Sequence, residues 1–268
     1  MTQSMIRMTR KIWVMACVFV LVGVGHLAAA QYMRVGVDGS IPLGKLDDME
    51  DMLGLADGGQ RADLLERLGV EPAIAKYAIE EWMPGEKIAL HAIRTIGTAR
   101  YGIAFVPSGV GVSCYLYLLQ GSDEDPVKTP WHVVDHQELN CWHGPSSFEI
   151  MSLRRRDTDD VVLHHVNEGH GSGYVADQTQ VFSVVGGKLV QTLATEDFLM
   201  QVTLGTEDEL DQTGTFVRFP DLSLEETRSS SMNDKLRKIE RRYWRWSAQE
   251  RKFVAGRFAV VSAPISAN

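Results

Sequence analysis

The chain has 268 residues, with 27 Lys and Arg against 35 Asp and Glu, a formal charge of −8, 44% apolar residues and six tryptophans. Apolar content of that size excludes a disordered tail, which cannot bury enough surface to offset its ordering entropy. The acidic balance excludes a general nucleic-acid binder, which needs clustered cations for phosphate contacts.

Arg7, Arg10 and Lys11 precede an apolar run from Ile12 to Ala30 that ends Leu27-Ala28-Ala29-Ala30. A basic head, an apolar middle and a small-residue end are the parts of a secretory signal peptide, and they place cleavage after Ala30. The rival is an uncleaved anchor, because Trp13 to Ala30 is 18 residues long, just within membrane-spanning range. Gly23, Gly25 and His26 weaken that alternative. Cys17 lies too early in the run to be a lipid-modified cysteine. Residues 1–30 hold three positive charges and no acid, so their removal leaves 238 residues and moves the charge from −8 to −11. The expected product is exported, periplasmic or secreted, and no later stretch is long and apolar enough to span a membrane.

The rest divides into an N-terminal helical segment, 31–85, and an antiparallel β domain, 86–268. Leu64, Leu65 and Leu68 share one helical face before Gly69, a residue suited to a helix C-terminus. Pro72 suits a first helical turn, Ile74, Tyr77, Ala78 and Trp82 make the next apolar stripe, and Pro84-Gly85 stops it. From Ile88 onward the period becomes two. Tyr101, Ile103 and Phe105 alternate with smaller residues, and Val112, Cys114, Leu116 and Leu118 line one strand face. Gly186-Gly187 between Val181–Val185 and Lys188–Gln191 marks a two-residue hairpin. Tyr243–Trp246 and Arg251–Val254 read as another. The fold class is therefore α+β, mostly an antiparallel meander of about ten strands with short N-terminal helices; a sandwich, an open barrel and a partial propeller all fit. The hairpins are superficially similar to the blades of exported β-propeller repeat proteins, but no fixed period and no Asp-x-Asp-Gly loop accompany them.

Cys114 and Cys141 remain after cleavage, and in an oxidising compartment such a pair is expected to form a disulfide. His132-Val-Val-Asp-His136 resembles the His-x-x-Glu-His signature of inverzincin metallopeptidases, with Asp135 in the glutamate's place. That resemblance implies a metal hydrolase using His132, His136 and His143, with Asp135 or Glu138 as base. Pro130 and the Val133-Val134 pair favour an extended segment instead, where the two imidazoles share a face about 13 Å apart, too far for one ion. His164 and His165 are strand neighbours and point to opposite faces. Gly169-His170-Gly171-Ser172-Gly173 could bring backbone amides to an anion, although its spacing matches no phosphate or dinucleotide loop. Ser172 lacks a nucleophile-elbow context.

Lys235 to Trp246 is a basic, aromatic run in an acidic protein. Arg242 and Trp244 could meet an anionic glycan, an envelope component or a protein partner. The plainer reading is a solvated helix feeding a strand, with Trp244 and Trp246 packed on one face and Arg245 pointing away. No cofactor fingerprint is present. The expectation is a binding or structural module, with contacts around Gly169–Tyr174 and Trp244, and the metal hydrolase as its alternative.

Overall fold

The computed structural model describes residues 40–80, 88–107, 113–141, 143–169, 174–202, 209–233 and 235–262. The signal segment, its cleavage point after Ala30, and His170, Gly171 and Ser172 lie outside the described residues. The chain divides into two units, Met1–Pro42 and Leu43–Asn268. Residues 40–42 are the described part of the first. The second carries every element below.

Three short helices come first: α1 (Leu46–Leu55), α2 (Gly58–Leu68) and α3 (Pro72–Glu80). Asp57 starts α2 with a capping box, in which its carboxylate accepts from the Gln60 N–H at 2.9 Å while the Gln60 side chain accepts from the Asp57 N–H at 3.1 Å. Gly69 ends the helix at φ +97°, a left-handed position that a β-carbon disfavours. Leu64, Leu65 and Leu68 are fully buried, as their spacing requires.

The strands form two antiparallel sheets. The smaller has the order β1 (Ala89–Ile93), β2 (Tyr101–Val106), β3 (Ser113–Gln120), β4 (His132–Asn140). The larger is a meander of β5 (His143–Met151), β6 (Asp160–Gly169), β7 (Tyr174–Val185), β8 (Lys188–Val202), β9 (Glu209–Arg218), β10 (Leu224–Met232), β11 (Lys235–Ser247) and β12 (Lys252–Ala255), with β13 (Ala259–Ser262) also on β11. The fold is thus a mostly antiparallel α+β meander with short N-terminal helices, and among the described residues its strands close no barrel. Gly186 and Gly187, at φ +63° and +77°, make the expected hairpin between β7 and β8. One expectation fails: Lys235 to Arg242 is strand, because β11 runs unbroken between β10 and β12 and its ladder to β10 takes up this backbone.

The layers are helix, small sheet, large sheet. Leu46 of α1 packs so close to β2 that a β-carbon on Gly102 would collide with its methyl. Tyr117 of β3 donates to Glu71, between α2 and α3, at 2.9 Å. Burial, reinforced by the Glu71 carboxylate, pushes that phenol well above its ordinary range. On the opposite face Ile103, Phe105, Leu116 and Leu118 pack against Val161, Leu163, Phe182 and Leu189 of the large sheet. β4 stitches the sandwich with polar bonds as well, since Asp135 accepts from the Leu189 N–H at 2.8 Å and Gln137 donates to the Leu189 carbonyl at 3.3 Å. Cys114 and Cys141 sit together in this core, at disulfide-bonding distance.

The large sheet rolls on itself. β12 is four places from β8 in strand order, yet the two lie against each other. The face turned inward buries Leu153, Val162, Val181, Leu193, Leu224, Trp244 and Phe253 as a second core, separate from the sandwich.

Candidate functional site

The inner face of this roll carries a cavity of about 430 Å³. Its floor is a row of register partners, Val162 on β6, Val181 on β7 and Leu193 on β8. Leu153, Phe216 and Leu224 supply the walls. A run that is apolar at successive positions, Val161-Val162-Leu163, permits this, because β6 must bury both of its faces. Its polar lining is His164 with Thr179, whose hydroxyl lies 2.7 Å from the imidazole Nδ1, and the exposed Arg218. The size and mainly apolar lining are those of a small-molecule site. A larger depression, about 850 Å³, lies between Gly97–Arg100 and Gln120–His132. It is an open space between loops whose charges, such as Lys128 to Asp125 at 2.8 Å, are already paired.

Two buried carboxylates brace the rolled sheet. Asp160, fully buried at the start of β6, accepts from the Leu153 and Arg154 backbone N–H groups at 3.0 Å each, from the Ser183 hydroxyl at 2.7 Å, and from the Arg154 guanidinium. It fixes the β5–β6 loop that delivers Leu153 to the cavity. Glu226, also fully buried, accepts from Arg228 at 3.0 Å, from Trp244 Nε1 at 2.8 Å, from Thr195 at 3.3 Å and from Arg242. At the loop's far end, burial alone would raise the Asp159 carboxyl. The Arg94 guanidinium and N–H more than offset that and hold it below the usual range.

The residues singled out from sequence fall elsewhere. His132 and His136 are both on β4, as an extended segment requires. They do not share a face, because a bulge opposite Leu118 and Leu119 inserts one residue between them. His132 pairs with Gln120 on the side of Leu118, while His136 pairs with Tyr117 and reaches toward Glu71, its Nδ1 3.9 Å from the carboxylate. His143 begins β5, in the other sheet. Among the described residues no three His, Cys, Asp or Glu side chains gather as a metal-holding group. Gly169 closes the β6 ladder opposite Tyr174.

Arg242 and Trp244 are brought together, with the guanidinium 4.4 Å from the ring centre, but both are bonded to Glu226 and Trp244 is buried. Phe258 covers the same guanidinium at 4.3 Å. Arg245 is exposed, as the alternation predicts. His164 and His165 do point to opposite faces. His165 is buried with Nε2 3.0 Å from the Gln178 amide oxygen, and burial depresses its pKa while that bond opposes the shift. The cavity residues were not singled out from the sequence; the contiguous Val161-Val162-Leu163 run was the available signal.

No protein-family model, curated protein or solved structure matches this chain. The class it defines rests on its own geometry: a helix-backed β sandwich whose larger sheet rolls into an open trough with an apolar floor.

Proposed function

We propose that the protein is an exported, non-enzymatic binding module that holds an apolar ligand in the trough of its large sheet. The observation that carries this reading is the cavity itself, about 430 Å³ over Val162, Val181 and Leu193, inside a sheet that has already buried a separate core on its other face. Apolar surface left facing water in a concave space is unfavourable, and such concavities are where ligands are held. Export follows from the first thirty residues, with cleavage after Ala30. A paired Cys114 and Cys141 suit an oxidising compartment. Among the described residues no helix is long and apolar enough to cross a membrane.

The test is titration of the protein, expressed with its own leader and purified from the exported fraction, with the uncharged probe N-phenylnaphthylamine. Saturable binding at one site, weakened at least about tenfold by Val162→Phe, is the expected result. A protein that leaves the probe dark, or a variant that binds it equally well, overturns the reading. N-terminal sequencing of the same material checks for a mature chain beginning at Gln31.

A further inference from the structure

The trough does not end in solvent on all sides. Arg218, the last residue of β9, lines the cavity and also lines an adjoining groove of about 480 Å³. The other walls of that groove are Ser152, Arg156, Phe219 and Pro220. Its two cations differ from their neighbours in having no carboxylate partner among the described residues. In the run Arg154-Arg155-Arg156 the first is bonded to Asp160 and the second to Asp157, through Nε at 2.9 Å and Nη2 at 2.8 Å. Arg156 has no carboxylate partner among the described residues, and its one bond is a long 3.5 Å contact to the Pro220 carbonyl. Arg218 has no carboxylate partner among them either. Asp221, the acid of the β9–β10 turn, is turned onto Ser223, accepting from its hydroxyl at 2.6 Å and its N–H at 3.1 Å.

Beside the apolar cavity the groove thus holds two guanidiniums with no carboxylate partner among the described residues. Each is a planar fork suited to a carboxylate or a phosphate. Phe219 and Pro220 line the groove beside them, so apolar and cationic groups share its walls.

We propose that the ligand is a single-chain anionic amphiphile of the fatty-acid class, with its acyl chain over Val162, Val181 and Leu193 and its carboxylate between Arg156 and Arg218. This rests on the trough being a ligand site and adds the head group. The test displaces N-phenylnaphthylamine with three ligands of equal chain length: the fatty acid, the fatty alcohol and the alkyltrimethylammonium ion. At low salt the acid should bind about 10- to 100-fold more tightly than the alcohol, the gain expected of charge-assisted bonds, and the cation should bind more weakly than either. In the Arg156→Gln/Arg218→Gln protein the acid should bind no more tightly than the alcohol measured on that same protein, and added salt should shrink the advantage in the native protein. Equal binding of acid and alcohol to the native protein overturns the head-group proposal and leaves the trough standing. Failure of all three ligands to displace a probe that binds overturns the amphiphile proposal alone, whereas failure of the probe itself to bind overturns both. Loss of alcohol binding in the double variant also overturns the proposal, because the arginines would then be supporting the cavity itself.

Discussion

Asp160 is the residue whose removal most directly tests how the trough is held. Its carboxylate is fully buried and gathers four donors: two backbone N–H groups, the Ser183 hydroxyl and the Arg154 guanidinium. The Arg154 side chain is itself 12% exposed and lies 5.1 Å from the Trp246 ring centre, so it has little room to turn to water. Asp160→Ala strands a nearly buried cation and three neutral donors. Breaking a buried ion pair from one side costs about 3–5 kcal/mol. For a chain of this size that lowers the melting temperature by roughly 6–20 °C. Asp160→Asn keeps one acceptor oxygen and loses the charge, so it should cost less, about 1–3 kcal/mol. Urea unfolding at pH 7, followed by tryptophan emission, measures both variants against the native protein. A loss below about 1 kcal/mol for the alanine variant, with an unchanged denaturant slope, would refute the claim that this carboxylate anchors the β5–β6 loop.

Three further outcomes follow from the same chemistry. Glu226→Ala should cost about 3–5 kcal/mol because Arg228 and Arg242 lose their shared partner, whereas joint replacement of Glu226, Arg228 and Arg242 by Met should recover most of it; a triple variant as unstable as the single one would refute this. Because burial holds His165 below its usual pKa, the unfolded chain takes up a proton first. Stability is therefore full above about pH 6.5 and is lost as pH falls from there toward the folded pKa. A pH series of unfolding free energies should show that slope, and His165→Leu should reduce it. Joint substitution of Cys114 and Cys141 by Ser should cost about 3–4 kcal/mol, the chain-entropy value for a loop of this length. Equal urea midpoints for the two proteins would show that the bridge is absent in solution.

What was legible in the sequence follows one physical line. Elements set by local pattern were readable: the Leu64, Leu65, Leu68 stripe, the β2 and β3 alternation, and the Gly186-Gly187 turn. Pairing between distant strands left no such mark. The roll that sets β12 against β8 is a property of the whole sheet, so the meander was expected and the trough was not. The basic run at Lys235–Arg242 misled for a related reason. Its two apolar residues, Leu236 and Ile239, stand three apart, which is helical spacing, and the deciding partners, Glu225 and Glu226, belong to the preceding strand. The β4 histidines show the limit of period counting, since one inserted residue at the bulge sends His132 and His136 to opposite faces.

β6 separates folding from binding within two adjacent residues. Val161 pairs with Phe182 and faces the sandwich core, while Val162 pairs with Val181 and faces the trough. Both are almost wholly buried, at 1% and 5% exposure, so burial alone predicts the same response to substitution. The space beyond each side chain predicts a different one. A phenyl ring at 161 must displace Leu163, Phe182 and the β2–β3 side chains across the interface, and overpacking of that kind costs about 1–3 kcal/mol or more. A phenyl ring at 162 enters the cavity of about 430 Å³ and gains contacts there, so its net cost should stay under about 1 kcal/mol. Ligand affinity should move the other way, lost in Val162→Phe and retained by the folded fraction of Val161→Phe. Urea unfolding and probe titration on the two proteins measure both quantities. Equal destabilisation would mean the inner face is packed like the outer one and that no ligand space exists over β6. Opposite outcomes would mean that one strand carries the core on one side and the binding floor on the other.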